Sequence, residues 1–492
     1  MTCGIQQSYW TYRRRSRPLS YGVGWALLGL IVLAAFAVID ASGFPHETHP
    51  AGLILGLGAL AIWRYGWATL NAMRALYYCS VAFPRRRRAA VVAKPASHVC
   101  VVVLSFQMDS LLNAAVYEAL LRNLAAYGRP ATVVACVSDQ ADVVQLRMLE
   151  VPSGVKLIPL QQSKRGKRDA MERGLDFLAD TPIPTGAVVV LLDGDTLLPD
   201  GTLTRSVPIL LNDNRVGAIT TDNDPLVAGG DVAREWYKLR MRSRHVLMSS
   251  LSLSGRVLVL TGRFSIFRAE LALSRGFIAA VGRDACFSPR HGRIRMETGD
   301  DKSTWFWALR AGWNMLYVPD VTVYCLEKQP RPTFLDSSVA LMGRWYGNMA
   351  RNSGRAIALG PRRLKVFVWV ALIDQRISPW TTLVSPVAAT LLMITGQYAA
   401  ASAYVLWIIM TRTIQTMLLA RLGREFHPFQ PMLQYYNQMI GSGLKIYAFF
   451  NPQRQKWTRQ QTGTTMTVDR SNRVMWMSIG LFVLAVLAAA VA

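Results

Sequence analysis

Residues 188–195 read Val188-Val189-Val190-Leu191-Leu192-Asp193-Gly194-Asp195. Five consecutive aliphatic residues of this kind form a strand buried on both faces, and the run ends directly in an acidic D-x-D. Two carboxylates separated by one glycine, just past a strand end, can both approach one hard divalent cation. Mg²⁺ or Mn²⁺ accepts such ligands and keeps positions for phosphate oxygens. Asp193-Gly194-Asp195 is equally an ordinary turn, so its surroundings decide the reading.

Outward from this strand, β-branched runs at 101–105, 132–137 and 156–159 alternate with helical spacing at 111–127 and 168–178. A βαβα order predicts an α/β domain with a mainly parallel sheet, whose ligands gather at the carboxyl ends of the strands. A second acidic cluster, Glu297-Thr298-Gly299-Asp300-Asp301-Lys302, leads into a helical pattern at 303–310. Acids at a helix start are favoured by its dipole. They also suit a general base, as required when a sugar hydroxyl attacks an anomeric carbon. Two more elements follow, Arg344-Trp345-Tyr346-Gly347-Asn348 and the polar stretch Lys456-Trp457-Thr458-Arg459-Gln460-Gln461-Thr462-Gly463.

The 492-residue chain is 51% hydrophobic and 17% charged, with 55 Lys+Arg against 30 Asp+Glu and a net charge of +25. This balance excludes a disordered acidic protein and a small disulfide scaffold. A nucleic-acid binder would explain the basic excess but needs no charge-free runs of about 20 residues, the length that spans a bilayer. Residues 20–39 are such a run, with no A-x-A cleavage site after it, and form the first expected span. A weaker second stretch starts at Ala51 and is interrupted by Arg64 and Arg74. Arg13, Arg14, Arg15 and Arg17 precede the first span and Arg85 to Arg88 follow the second, which places the N-terminus and the α/β domain in the cytoplasm. The charge-free run 377–411 breaks at Gly396-Gln397 and reads as a helical hairpin, and 474–492 reads as a last span, about five in all. Residues 434–450 and 362–376 read as helices lying on the membrane surface. The six cysteines include no C-x-x-C pair, so neither disulfides nor zinc are expected.

D-G-D after a strand, G-D-D before a helix, then R-W, then W-T-R-Q, framed by transmembrane runs, resembles the processive membrane glycosyltransferases of family 2. Within that family the chain is most similar to its alginate branch, the mannuronan synthases. Stretches carrying the likeness include Gly166-Lys167-Arg168-Asp169, Glu235-Trp236-Tyr237-Lys238, Leu260-Thr261-Gly262-Arg263 and Asp374-Gln375-Arg376. The resemblance implies a cytoplasmic GT-A domain at 97–330 on a helical transmembrane region. An N-terminal hairpin would occupy 1–90, interfacial helices with the R-W motif 331–376, a second hairpin 377–420, an interfacial helix and gating-like loop 421–472, and a last helix 473–492.

It further implies a metal held by Asp195 and Asp193, with Asp301 as the catalytic base and Asp300 beside it. Lys167, Arg168, Asp169, Asp193, Arg344, Trp457, Thr458 and Arg459 would contact the nucleotide, and Gly262, Arg263 and Trp345 the acceptor. The activity implied is processive, inverting polymerisation of mannuronate from GDP-mannuronic acid into β-1,4-linked polymannuronate, passed across a bacterial inner membrane. Other polysaccharide export proteins and a subunit binding cyclic di-GMP would be its partners. Motifs around a diphosphate do not read the sugar, so a cellulose-like or hyaluronan-like synthase using a UDP-sugar is the alternative. An anionic donor and product call for cations, for which Arg263, Arg268, Lys302, Arg344 and Arg351 are the expected residues. One departure from the wider family is Leu341, where the family carries Gln.

Overall fold

The computed structural model describes residues 18–42, 51–106, 108–162, 166–421, 426–455, 475 and 477–481. An eight-stranded sheet has the order β3-β2-β1-β4-β7-β6-β10-β5. Its strands are β1 (Val99–Leu104), β2 (Ala131–Val137), β3 (Val155–Gln161), β4 (Val188–Asp193), β5 (Thr196–Leu197), β6 (Val216–Ala228), β7 (Phe264–Arg268) and β10 (Asn314–Lys328), with a separate hairpin of β8 (Ala285–Ser288) and β9 (Gly292–Arg295). Strands β1 to β4 pair in parallel, as does β6 with β10, whereas β7 runs antiparallel to both its neighbours. The four strands expected from sequence are all present, and the mainly parallel α/β fold is as expected.

Both faces of this sheet are covered, which is why β1 and β4 read as unbroken apolar runs. Val99, Val101 and Val103 face one core with Leu112, Val116 and Leu120 of the Ser110–Tyr127 helix. Cys100, Val102 and Leu104 face the other core with Met171, Leu175 and Leu178. Asp109 caps the Ser110–Tyr127 helix by accepting from the amides of Leu111 and Leu112, and Gly128 ends it in the left-handed conformation (φ 67°).

The helices used below, all among the described residues, are α1 (Pro18–Ser42), α2 (Ala51–Tyr77), α3 (Lys167–Ala179), α4 (Asp231–Ser252), α5 (Asp300–Arg310), α6 (Phe334–Ala358), α7 (Val366–Ile394), α8 (Tyr398–Arg421) and α9 (Gln430–Phe450). Among the described residues, three segments are long and apolar enough to cross a membrane: Tyr21–Ala41, Val366–Ile394 and Tyr398–Ala420. The hairpin turns at Gly396 (φ 76°), where expected. The second expected span is a helix, α2, which carries Arg64 and Arg74.

The surface helix expected at 362–376 is not a separate element. Gly360–Leu364 forms a short helix, Lys365 breaks it at φ 71°, and 366–376 is the beginning of α7. Asp374 and Arg376 ended the charge-free run in the sequence, yet both are satisfied inside the protein. The Asp374 carboxylate accepts from Trp63 Nε1 at 3.0 Å, and Arg376 donates to Ala350 O and Ser353 Oγ. Helix α9 packs against α4, α6, α7 and α8, so it belongs to the helical layer. The last expected span lies almost entirely outside the described residues, as do the basic cluster at 13–17 and the stretch 456–463.

Candidate active site

The carboxyl edge of the sheet places the D-x-D. In the register of β1 and β4, Asp193 stands opposite Leu104, and the Gly194 amide donates to Leu104 O at 2.9 Å. The turn therefore crosses directly over the end of β1. A Cβ on Gly194 would stand 2.5 Å from Ser105 Oγ and 2.9 Å from Leu104 O, so only glycine fits between the two acids. Strand β5 follows at once and pairs with Tyr324–Cys325 of β10, so Asp193-Gly194-Asp195 is a tight turn and an acidic edge at the same time.

Lys167, at the start of α3, closes that edge. Its ammonium lies 2.7 Å from Asp193 Oδ1 and 2.9 Å from Asp300 Oδ2, joining the two acidic motifs. Gly262 forms the wall beside them: a Cβ there would stand 2.8 Å from Lys167 Nζ, 3.3 Å from Asp193 Oδ2 and 3.4 Å from Asp300 Oδ2. Gly262→Ala is expected to displace the ammonium and cost about tenfold in kcat/KM, near 1.4 kcal/mol of transition-state stabilisation. The unfolding midpoint should stay near wild type, and a variant with unchanged kcat/KM would contradict this reading of the bridge.

Charge sets the acids apart from one another. Burial raises the Asp300 pKa, but Lys167 and Arg168 outweigh it and hold the carboxyl below its ordinary range. Burial raises the Asp193 carboxyl, with Asp195 and Asp300 adding to the effect against Lys167. Asp301 is also raised, by burial and then by the neighbouring Asp300 charge. Asp300 is thus an anchored anion, 3% exposed. Asp301 keeps partial exposure and a raised proton affinity, as a base working near neutral pH needs.

The turn carrying these acids is held from three sides. Gly299 begins α5 at φ 82°, and a Cβ there would stand 2.8 Å from Asn348 Cγ. Thr298 Oγ1 donates to Asn348 Oδ1 at 2.7 Å and accepts from Arg351 Nη2 at 3.0 Å. Gln455 Oε1 accepts from the amides of Glu297 and Thr298 at 3.0 and 3.3 Å. The R-W-Y-G-N element therefore reaches the acidic cluster through Asn348. Gln455 and Arg351 had no motif of their own that assigned them this clamp.

Several expected contacts are placed differently. Arg168 is buried and donates to Val281 O, Thr298 O and Ser303 Oγ, so it braces the acidic turn instead of meeting the nucleotide. Asp169 pairs with Arg173 one turn along α3. Arg263 is tied to Glu327 rather than open to an acceptor. Lys302 donates to Leu258 O, Arg268 to the carbonyls of Val216, Leu210 and Asp213, and Arg351 to Pro452 O. Lys302, Arg268 and Arg351 thus supply donors to backbone carbonyls of the fold. Arg344 is half-buried beside Trp345 on α6, while Trp457, Thr458 and Arg459 lie outside the described residues.

Trp345 stacks on Trp236 (5.9 Å, 21°) and lies edge-on to Tyr237, with the Arg240 guanidinium 4.4 Å above it. Leu341 is buried in the same cluster with Trp236, Tyr237 and Tyr346. The position where the wider family carries Gln is therefore an apolar contact here.

No group of three His, Cys, Asp or Glu side chains converges on one point among the described residues. A D-x-D site needs fewer, because diphosphate oxygens and water complete the shell. Asp193 and Asp195 at the strand end fit Mg²⁺ or Mn²⁺ in that mode.

A family model described as glycosyltransferase like family 2 matches residues 95–348, from just before β1 to Asn348. The chain belongs to glycosyltransferase family 2. Two proteins named glycosyltransferase alg8 resemble it over nearly their whole length. The one from Pseudomonas syringae pv. tomato is 36% identical, covering 96% of this chain and 99% of its own. The one from Azotobacter vinelandii is 35% identical, covering 91% and 92%. A mannosyltransferase from Pyrobaculum calidifontis, solved with GDP-Man and Mn²⁺, superposes with a TM-score of 0.50 over 80% of this chain and 98% of its own at 20% identity. That likeness concerns the fold, and it supports the GT-A arrangement of this family 2 domain.

Proposed function

We propose that this family 2 glycosyltransferase is a mannuronan synthase, which polymerises mannuronate from GDP-mannuronic acid into β-1,4-linked chains for alginate and passes the product across the bacterial inner membrane. The observation that carries the reading is the joining of two acidic motifs by Lys167, one helix away from an aromatic platform on α6 and beside helices long enough to span a bilayer. Similarity to the alg8 proteins over nearly the whole chain supports the choice of polymer.

In this mechanism Asp301 takes the proton of the acceptor 4-hydroxyl, the new bond forms between that oxygen and C1, and the C1–phosphate bond breaks with its electron pair leaving on GDP. Attack from the face opposite GDP inverts the anomeric carbon. Asp193 and Asp195 would hold a divalent ion, which would supply positive charge to the leaving diphosphate. Lys167 holds Asp193 and Asp300 at fixed separation, and Trp345 offers a flat apolar face to an acceptor sugar. The α/β domain works on the cytoplasmic side, and a partner binding cyclic di-GMP regulates the synthase.

Membranes carrying the full chain should be offered GDP-mannuronic acid, GDP-mannose, UDP-glucuronic acid and UDP-glucose in turn, with Mg²⁺ or Mn²⁺. Polymer from GDP-mannuronic acid alone is expected, and polymer from a UDP-sugar instead would overturn the assignment.

A further inference from the structure

A uronate brings a carboxylate into the site, and several cations near it are already engaged. Arg263 is tied to Glu327, while Lys302, Arg268 and Arg351 donate to backbone carbonyls. Arg244 on α4 differs from these. It is half-buried, and its Nη2 is buried with no hydrogen-bond partner among the described residues. Asp222, an acid within its electrostatic reach, is committed elsewhere: its Oδ1 accepts from Tyr317 Oη at 2.7 Å and lies 3.6 Å from His245 Nδ1. Burial and then the Arg263 charge lower the Arg244 pKa. A guanidinium desolvated beside another guanidinium, with no anion paired to it, is a costly arrangement that an incoming anion relieves.

The place of Arg244 follows from the sheet and from one face of α4. Leu192 pairs with Phe264, and Thr220 with Ser265. Carried on from these pairs, the registers set Asp193 and Asp222 on either side of Arg263, whose carbonyl accepts from the Asp193 amide at 3.2 Å. Arg244 is within reach of both Arg263 and Asp222, so it stands level with the D-x-D edge. Residues three and four apart share a helix face, so Arg240, Met241 and Arg244 look the same way from α4. Arg263 Nη1 lies 3.7 Å from Met241 Sδ, and the Arg240 guanidinium is 4.4 Å above Trp345. This face therefore meets the aromatic platform at Arg240 and the acidic edge about one helical turn, ~5.4 Å, further on. The sugar in transfer has to lie across that gap, because its C1 is bonded to the diphosphate on one side and approached by the acceptor hydroxyl on the other.

We propose that Arg244 determines the donor: its guanidinium receives the C5 carboxylate of the sugar being transferred and so selects a GDP-uronate over a neutral GDP-hexose. The inference rests on the donor class proposed above. A planar guanidinium matches a carboxylate through two parallel hydrogen bonds. A neutral hydroxymethyl group at the same carbon leaves the buried charge uncompensated, and the difference between the two donors is the selectivity. Arg244 contributes no proton transfer, which stays with Asp301.

The test uses full-chain membranes of wild type, R244Q and R244K, in which GDP, GDP-mannose and GDP-mannuronic acid in turn displace labelled GDP in the presence of Mn²⁺. Wild type should bind GDP-mannuronic acid more tightly than GDP-mannose. In R244Q the affinity for GDP-mannuronic acid should fall about 10- to 100-fold, the scale of hydrogen bonds to a charged group, while GDP and GDP-mannose stay within twofold and show that the variant is folded. R244K keeps the charge without the planar fork and should lie between the two. An R244Q protein that retains the wild-type preference overturns the proposal. So does equal weakening of all three ligands, equal selectivity in R244K and R244Q, or a wild type with no preference between the two GDP-sugars. Wild-type membranes that make polymer from a UDP-sugar and none from GDP-mannuronic acid would instead sink the proposed function, and the role of Arg244 with it.

Discussion

Asp301→Asn is expected to lower kcat by about 10² to 10⁴, the usual contribution of a positioned general base, while leaving donor and metal binding within twofold. The amide is close to isosteric and keeps an oxygen able to accept from the Lys302 amide, which donates to Asp301 Oδ1 at 2.9 Å. What it lacks is a lone pair basic enough to take the acceptor proton. Asp301 sits at the N-terminus of α5 next to Asp300, and burial and that neighbour both raise its pKa. The active form is the deprotonated one, so wild-type turnover should fall as pH drops through an apparent pKa above the ordinary carboxylate value of about 4. In the Asn variant that acid limb should vanish. GDP release followed from pH 5 to 8 checks both points, and wild-type turnover in the variant would remove Asp301 from the chemistry.

Lys167→Met should produce the second large effect, in stability as well as rate. Lys167 is 21% exposed in its side chain, and its two partners are 22% and 4% exposed. Burial lowers the ammonium pKa, but Asp193 and Asp300 outweigh it and raise the group well above its ordinary value. Removing one partner from such a cluster strands the others, at a cost of about 3 to 5 kcal/mol. Its pH dependence has a definite sign. In wild type the Asp300 pKa is depressed, so its contribution is present above the unfolded value of about 3.9 and is lost only as pH falls through the lower folded value. Without Lys167, the carboxylates face each other and the folded pKa rises above the unfolded one. The variant should therefore gain stability, relative to wild type, as pH is lowered from 8 toward 6. Unfolding midpoints across that interval decide it, and a constant difference between the two proteins would show that Lys167 does not compensate the carboxylates.

Much of the sheet was legible because its strands are buried on both faces and leave uninterrupted aliphatic runs, as in 101–105 and 188–192. The pairing of Lys167 with Asp193 and Asp300 was not legible, since those residues lie far apart in the chain and meet only when α3, β4 and α5 converge on one edge. Cations were the least legible class. Residue type marked Arg168, Arg263, Arg268 and Lys302 as anion contacts, but each satisfies a carbonyl, hydroxyl or carboxylate of the fold. The arginines that interrupted an otherwise apolar stretch, Arg64 foremost, counted against a span in the sequence. In the structure Arg64 bridges to α7 at Thr382 and Asp374.

Under the proposed function, the acidic edge and the helical layer work together as one processive polymerase of mannuronate. The most direct measurement is the length distribution of product made by full-chain membranes from labelled GDP-mannuronic acid in the first moments of synthesis, followed by a chase of unlabelled donor. A processive polymerase yields few chains that are long from the outset, with label confined to their older segments after the chase. Products that all lengthen together by single units, or label transferred once to a lipid, would contradict it.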